Sequence, residues 1–185
     1  IQEAQPHQDP IASVIQGDAE YGVGTSELLL HHSHKEPVVV LAVIFQHSPL
    51  ALLVPNESDH FKTKLQTIHD LQNKPLMIEA NSAELFAYMA LEGLTREKLN
   101  IVPHTFAVQD VVNGNAAGMS VYTTDEPFTF DQLNVPYTLF KPSMGGVDFY
   151  GDNLFTTESE ISSHPKRVKA FREASLKGWK YAMQN

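Results

Sequence analysis

The chain has no cysteine and a single tryptophan, and its 13 Lys and Arg are outnumbered by 22 Asp and Glu. The missing cysteine removes disulfides, thiolate metal sites, iron–sulfur clusters and cysteine nucleophiles together. It fits an exported protein no better than a cytosolic one. The formal charge of −9 argues against nucleic acid as the main partner, because phosphate binding needs a basic face. Long hydrophobic runs are absent as well. The longest, Pro37 to Phe45, is far short of the roughly 18 apolar residues of a membrane span. Its β-branched content reads as a buried strand, so no membrane insertion of this segment is expected. The chain opens at Ile1 with no signal-peptide pattern, which reads as a processed or excised product.

What is present is the composition of a folded protein. At 42% hydrophobic and 19% charged residues, a disordered chain is ruled out. A length of 185 residues allows one large domain or two small lobes, burying about 70% of the unfolded surface.

Short strands alternate with helical patterns along the whole sequence. Asp9 and Pro10 read as an N-cap and first helical residue, and Gly17 as the end of that helix. Strands are expected at Glu20–Val23, Val38–Phe45, Leu50–Val54, Leu76–Glu79, Ile101–Pro103, Ala117–Tyr122 and Tyr137–Phe140. Helices are expected at Ser26–His32, Thr67–Gln72, Ser82–Leu91, Val108–Asn113, Asp125–Leu133 and from His164 to about Met183, with a polar connection after Val54. On the last helix Val168, Phe171, Ser175, Trp179 and Ala182 share one face, which makes Trp179 a core residue. The alternation predicts an α/β fold with mainly parallel sheets flanked by helices.

One internal repeat adds to this. Val14-Ile15-Gln16-Gly17-Asp18-Ala19 recurs as Val111-Val112-Asn113-Gly114-Asn115-Ala116, 97 residues on. Each copy ends a helix at glycine and leads into a short strand. Each strand then ends in a hydroxyl-and-carboxylate turn: Thr25, Ser26 and Glu27, then Thr124, Asp125 and Glu126. Ligands of open α/β sheets bind beyond such strand ends. Two of them about half the chain apart suggest two lobes, although Gly-polar-Ala junctions also arise by chance.

Three polar clusters and one lone carboxylate carry the candidate chemistry. Gln46, His47, Ser48 and Pro49 interrupt two apolar strands, as a ligand-contacting crossover or as an ordinary turn. Tyr122 to Pro127 is the densest polar group at a strand end. There Asp125 suits an N-cap, Glu126 has no equally obvious capping job, and Tyr122 offers a face for a flat ring. Asp148-Phe149-Tyr150-Gly151-Asp152-Asn153 reads as a loop forming a cleft wall or hinge. Glu79 ends a strand before a helix, as a ligand carboxylate or a solvated charge. His31, His32 and His34 lack the carboxylate or cysteine of a convincing metal shell and read as a solvated helix end. Ser48, His47 and Asp125 make a triad only on paper, since no nucleophile-elbow motif is present. No cofactor is called for, and binding is favoured over catalysis.

As an ordered set these motifs resemble the thiamine-pyrimidine-precursor-binding family of type II periplasmic binding proteins. The resemblance rests on Tyr21-Gly22-Val23-Gly24-Thr25-Ser26-Glu27, Pro37 through Pro49, Thr124-Asp125-Glu126-Pro127, Asp148 through Phe155, and His164 through Ala182. It is strongest to the extracytoplasmic sensor regions of membrane histidine kinases and diguanylate cyclases. The resemblance implies a bilobal fold whose first strand–helix unit is absent here, with lobe one at 1–53, lobe two at 54–142 and a return to lobe one at 143–185. It implies ligand contacts from Ser26, His47, Ser48, Tyr122, Asp125, Glu126, Tyr150 and Asp152. The implied function is non-enzymatic capture of a pyrimidine-like or other small polar ligand in a cleft outside the cytoplasm, coupled to signalling domains of the same chain. The alternatives are a soluble component that delivers its ligand to an ABC transporter permease, and a hydrolase or pyrimidine-modifying enzyme using His47. The eukaryotic relatives that make the pyrimidine carry a cysteine-rich iron motif, which this chain lacks.

Overall fold

The computed structural model describes residues 1, 8–57, 61 and 64–185. Part of the polar connection after Val54 lies outside them. The described residues form two compact units, one of residues 8–46 and 150–185, the other of residues 47–149. The crossings therefore fall at Gln46/His47 and Phe149/Tyr150, where the sequence suggested 53/54 and 142/143. The reason is strand pairing, because residues 50–53 are hydrogen-bonded into the sheet of the second unit.

The first unit holds α1 (Pro10–Gln16), β1 (Gly22–Gly24), α2 (Leu28–Ser33) and β2 (Val38–Phe45). Asp9 accepts the Ile11 N–H at 2.9 Å as the N-cap of α1. Gly17 ends that helix at φ +85°, a left-handed value that costs glycine little.

The second unit comprises β3 (Leu50–Pro55), β4 (Pro75–Met77), α3 (Ala83–Leu91), β5 (Asn100–Val102), α4 (Val108–Val112), β6 (Gly118–Tyr122), α5 (Glu126–Gln132) and β7 (Tyr137–Phe140). The chain then returns to the first unit with β8 (Gly151–Thr157), α6 (Glu158–Ser163) and α7 (Pro165–Ala182).

The sheets run β1-β8-β2 and β5-β4-β6-β3-β7. Among the described residues only β4 pairs in parallel, with β5 and β6, and the other pairings are antiparallel. The sheets are thus less parallel than the α/β alternation implied. The cause is the same in each unit. β1 and β2 share one direction and are joined by α2, but β8 inserts between them running the other way. β6 and β7, joined by α5, are separated in the same manner by β3. The helical crossovers inferred from the sequence are present; the inserted strands are what it did not reveal.

The repeat is structural. Gly114 closes α4 at φ +76°, as Gly17 closes α1. Asp18 N–H and Asn115 N–H make matching bonds back to Ser13 O and Asp110 O, at 2.9 and 2.8 Å.

β8 is the main element missed from sequence. Asp148–Asn153 reads as a loop, yet Gly151 to Asn153 already belong to this central strand. Its polar residues are buried with partners: Asn153 donates to Gly24 O at 3.2 Å and Thr156 to Glu20 O at 2.6 Å. Phe155 is fully buried over Gly22, where a Cβ would lie 2.5 Å from its ring. α6 was also unforeseen.

The core of the second unit has two faces. Leu50, Leu52 and Val54 of β3 pack with Leu76, Leu85, Tyr88 and Met89 on one side, while Ala51 and Leu53 join Met119, Val121 and Phe130 on the other. This is the period-two alternation of a strand covered on both faces. On α7, however, Val168 is the one buried residue. Trp179 is 42% exposed and meets Phe45 edge-on at 5.8 Å, so it lies against the sheet rather than in the core. Phe171 likewise stacks on Tyr21 at 4.0 Å. Tyr21 also donates to Glu160 at 2.9 Å, and Arg167 clamps the same carboxylate at 2.7 and 2.8 Å. Hydrogen bonding from Arg167 lowers the Glu160 carboxyl to about 2.

Candidate functional site

In the second unit, strand directions gather the candidate residues at one sheet edge. β3 starts where β6 ends, with Leu50 opposite Tyr122. Thr123 N–H donates to Pro49 O at 2.9 Å, which locks the turn before β3 to the turn after β6. Ser48, Tyr122, Asp125 and Glu126 therefore share this edge. Ser48 N–H donates to Phe149 O at 2.9 Å, and the His47 ring meets both Asp148 carboxylate oxygens at 2.9 and 3.0 Å. His47 thus bonds Asp148 and not Ser48, so the paper triad does not assemble.

The turn after β6 assigns its carboxylates differently from the sequence pattern. Asp125 occupies the N-cap position of α5, but its side chain makes no capping bond. Glu126 Oε2 instead accepts the Tyr122 N–H at 2.9 Å, so this carboxylate has a structural job as well as a place at the edge.

Three residues that the sequence did not single out complete the surroundings. Glu84, 4% exposed in the first turn of α3, accepts a hydrogen bond from the Ser48 hydroxyl. That hydroxyl in turn accepts the Leu50 N–H at 3.2 Å. Ser82, the N-cap of α3, is 1% exposed, and its hydroxyl has no hydrogen-bond partner among the described residues. His104, 7% exposed just beyond β5, reaches past β4 to bond Ser120 O through Nε2 at 3.1 Å. Its Nδ1 accepts the Phe106 N–H at 3.1 Å, which fixes a neutral tautomer. Burial pushes the His104 pKa down, opposed by the Ser120 carbonyl and the Glu126 charge. A polar residue directly after a strand was the available signal for His104. Glu84 gave none, because its partner lies 36 residues away.

Glu79 N–H donates to Ser120 Oγ at 3.1 Å, which puts the end of β4 at the same edge.

In the first unit, Gly24 of β1 faces Asn153 of β8. Ser26, two residues beyond, and Tyr150 and Asp152 on the incoming side thus fall at one end of that sheet. Tyr150 is 57% exposed, Ser26 and Asp152 are half-buried, and Asp152 takes φ +26°. Among the other early candidates, His31 pairs with Glu36 at the end of α2.

The profile of the NMT1/THI5-like family matches residues 1–185. The chain belongs to that family. Solved structures agree on the fold of this NMT1/THI5-like chain. The alkanesulfonate-binding protein SsuA of Xanthomonas axonopodis pv. citri, bound to MOPS, superposes with a TM-score of 0.62 at 15% identity, over 87% of this chain and 55% of that one. The periplasmic aliphatic sulphonate binding protein SsuA of Escherichia coli gives 0.61 at 14%, over 93% and 57%. An ABC uptake transporter substrate binding protein of Streptococcus pneumoniae, with bound histidine, gives 0.56 at 15%, over 91% and 67%. The fold is that of type II periplasmic binding proteins, and the chain spans a little over half the length of the two SsuA proteins. Comparison with curated proteins finds no match.

Proposed function

We propose that the chain is a small-molecule-binding domain, not an enzyme, that works outside the cytoplasm as the substrate-binding component of an ABC uptake transporter. One observation carries the site. Ser48, Tyr122, Asp125 and Glu126 converge on the edge of the second sheet where the parallel strands β4, β5 and β6 end. This is where α/β sheets present free main-chain groups and side chains to ligands. Family membership and the fold of uptake-transporter binding proteins support the same reading. They favour it over the sensor region suggested by motif wording, because the matched structures are transport components.

In this proposal His47, Ser48, Tyr122, Asp125 and Glu126 are the ligand contacts of the second unit, and Ser26, Tyr150 and Asp152 are the candidate contacts of the first. The carboxylates favour a polar ligand with hydrogen-bond donors, such as an amine-bearing pyrimidine-like ring. For the hydrolase alternative, Asp148 would orient the His47 ring through Nδ1, but the Ser48 hydroxyl donates to Glu84 instead of to that ring. Isothermal calorimetry against panels of pyrimidines, amines, amino acids and sulfonates tests the reading. A ligand that binds the wild type and loses about ten-fold or more in Glu126→Gln supports the anchor. Unchanged affinity removes Glu126 from the site, and turnover abolished by His47→Ala would replace binding with catalysis. A parent gene encoding a membrane helix and a kinase or cyclase domain would restore the sensor reading.

A further inference from the structure

Phe106 is a bulky apolar side chain in an unfavourable place. It lies beyond β5 with φ +60°, a left-handed value that few large residues adopt, and it is 50% exposed. The surrounding loop is nonetheless tightly held. Phe106 N–H donates to His104 Nδ1 at 3.1 Å, and the two rings lie 4.3 Å apart. His104 is anchored to β6 through Ser120 O at 3.1 Å. Thr105 donates to Asp110 at 2.6 Å and accepts the Ala107 N–H at 3.3 Å. An exposed aromatic ring on a pinned loop costs little further entropy when a ligand covers it. Its location is specific too, because His104 is bonded to Ser120 O on β6, two residues before Tyr122, whose N–H bonds Glu126 at 2.9 Å.

We infer that Phe106 is a ligand-stacking residue of the second unit, selecting planar ligands whose N–H donors turn toward Glu126. The inference rests on the small-molecule-binding reading above and adds to it a residue and a ligand shape. Stacking on an aromatic face rewards flat π-systems over saturated rings of equal charge. The Glu126 carboxylate at the end of β6 rewards donors over anions.

The test is a calorimetric titration of the whole chain with benzamidinium and 4-aminopyrimidine as planar donors. Cyclohexylammonium serves as a saturated cation and methanesulfonate as an anion. Wild type is expected to bind the planar pair more tightly than the other two. Phe106→Ala should weaken the planar pair by about ten-fold while changing cyclohexylammonium by less than about two-fold. Phe106→Trp should keep planar binding, which separates loss of the ring from damage to the loop. Planar affinity unchanged in Phe106→Ala, or weakened equally for cyclohexylammonium, overturns the inference and leaves the binding reading in place. So does wild-type preference for methanesulfonate. Wild type that binds none of these probes, and no member of the wider panels, overturns both.

Discussion

Removing the Ser48 hydroxyl is the sharpest test of how the second unit holds its candidate edge. Ser48 donates to Glu84, a carboxylate only 4% exposed, and accepts the Leu50 N–H that opens β3. Ser48→Ala deletes both bonds and takes a donor from a buried charged group. The expected loss is about 1–3 kcal/mol, the usual cost of leaving a buried polar group short of a partner. Glu84→Gln keeps an acceptor for the hydroxyl and should cost less. If the bond is as drawn, the double variant is milder than the sum, with a coupling of about 1–2 kcal/mol. Urea unfolding followed by tryptophan-independent circular dichroism reads all four corners of the cycle, since Trp179 belongs to the other unit. A Ser48→Thr control retains the hydroxyl and should recover most of the loss. Coupling below about 0.5 kcal/mol would mean that the two side chains act independently, and would refute the reasoning.

Two further outcomes follow from particular contacts. Gly22→Ala places a Cβ 2.5 Å from the buried Phe155 ring and should destabilise the first unit by about 1–3 kcal/mol through overpacking, with wild-type urea unfolding as the contrary result. His104 is buried in its neutral form with a pKa below its ordinary 6.5. The unfolded chain therefore takes up the proton first as pH falls below that value, so the stability contribution is complete above it and is lost progressively down to the lowered folded pKa. Unfolding curves between neutral and mildly acid pH should be steeper for wild type than for His104→Gln; parallel curves would discount the buried imidazole.

Much of this architecture was legible in the residues. Apolar periodicity located β2, β3 and α3, and Asp9 with Gly17 bracketed α1 as capping chemistry requires. The paired glycines Gly17 and Gly114 marked equivalent junctions before β1 and β6. Local pattern failed where partners are remote. Gly151-Asp152-Asn153 has the composition of a turn, and only pairing with residues more than a hundred positions earlier makes it a strand. Trp179 repeats at helical spacing, yet spacing says which way a side chain points and not how deeply it is covered. At the candidate edge, Ser48, Tyr122 and Glu126 were readable as polar groups at strand ends. Glu84 and Phe106 were not, because one answers a distant hydroxyl and the other takes its backbone shape from His104.

The placement of β8 has a consequence for synthesis. Residues 47–149 form a continuous stretch, so the partners of the second sheet are all made together. β1 and β2 emerge earlier but share no hydrogen bonds with each other, because the strand that joins them is β8. Until residues 151–157 appear, Val38 to Phe45 lacks its β8 partner, and an unpaired apolar strand is the kind of surface that chaperones and aggregation compete for. Of the strands described, β1 and β2 are therefore made before the strand that joins them.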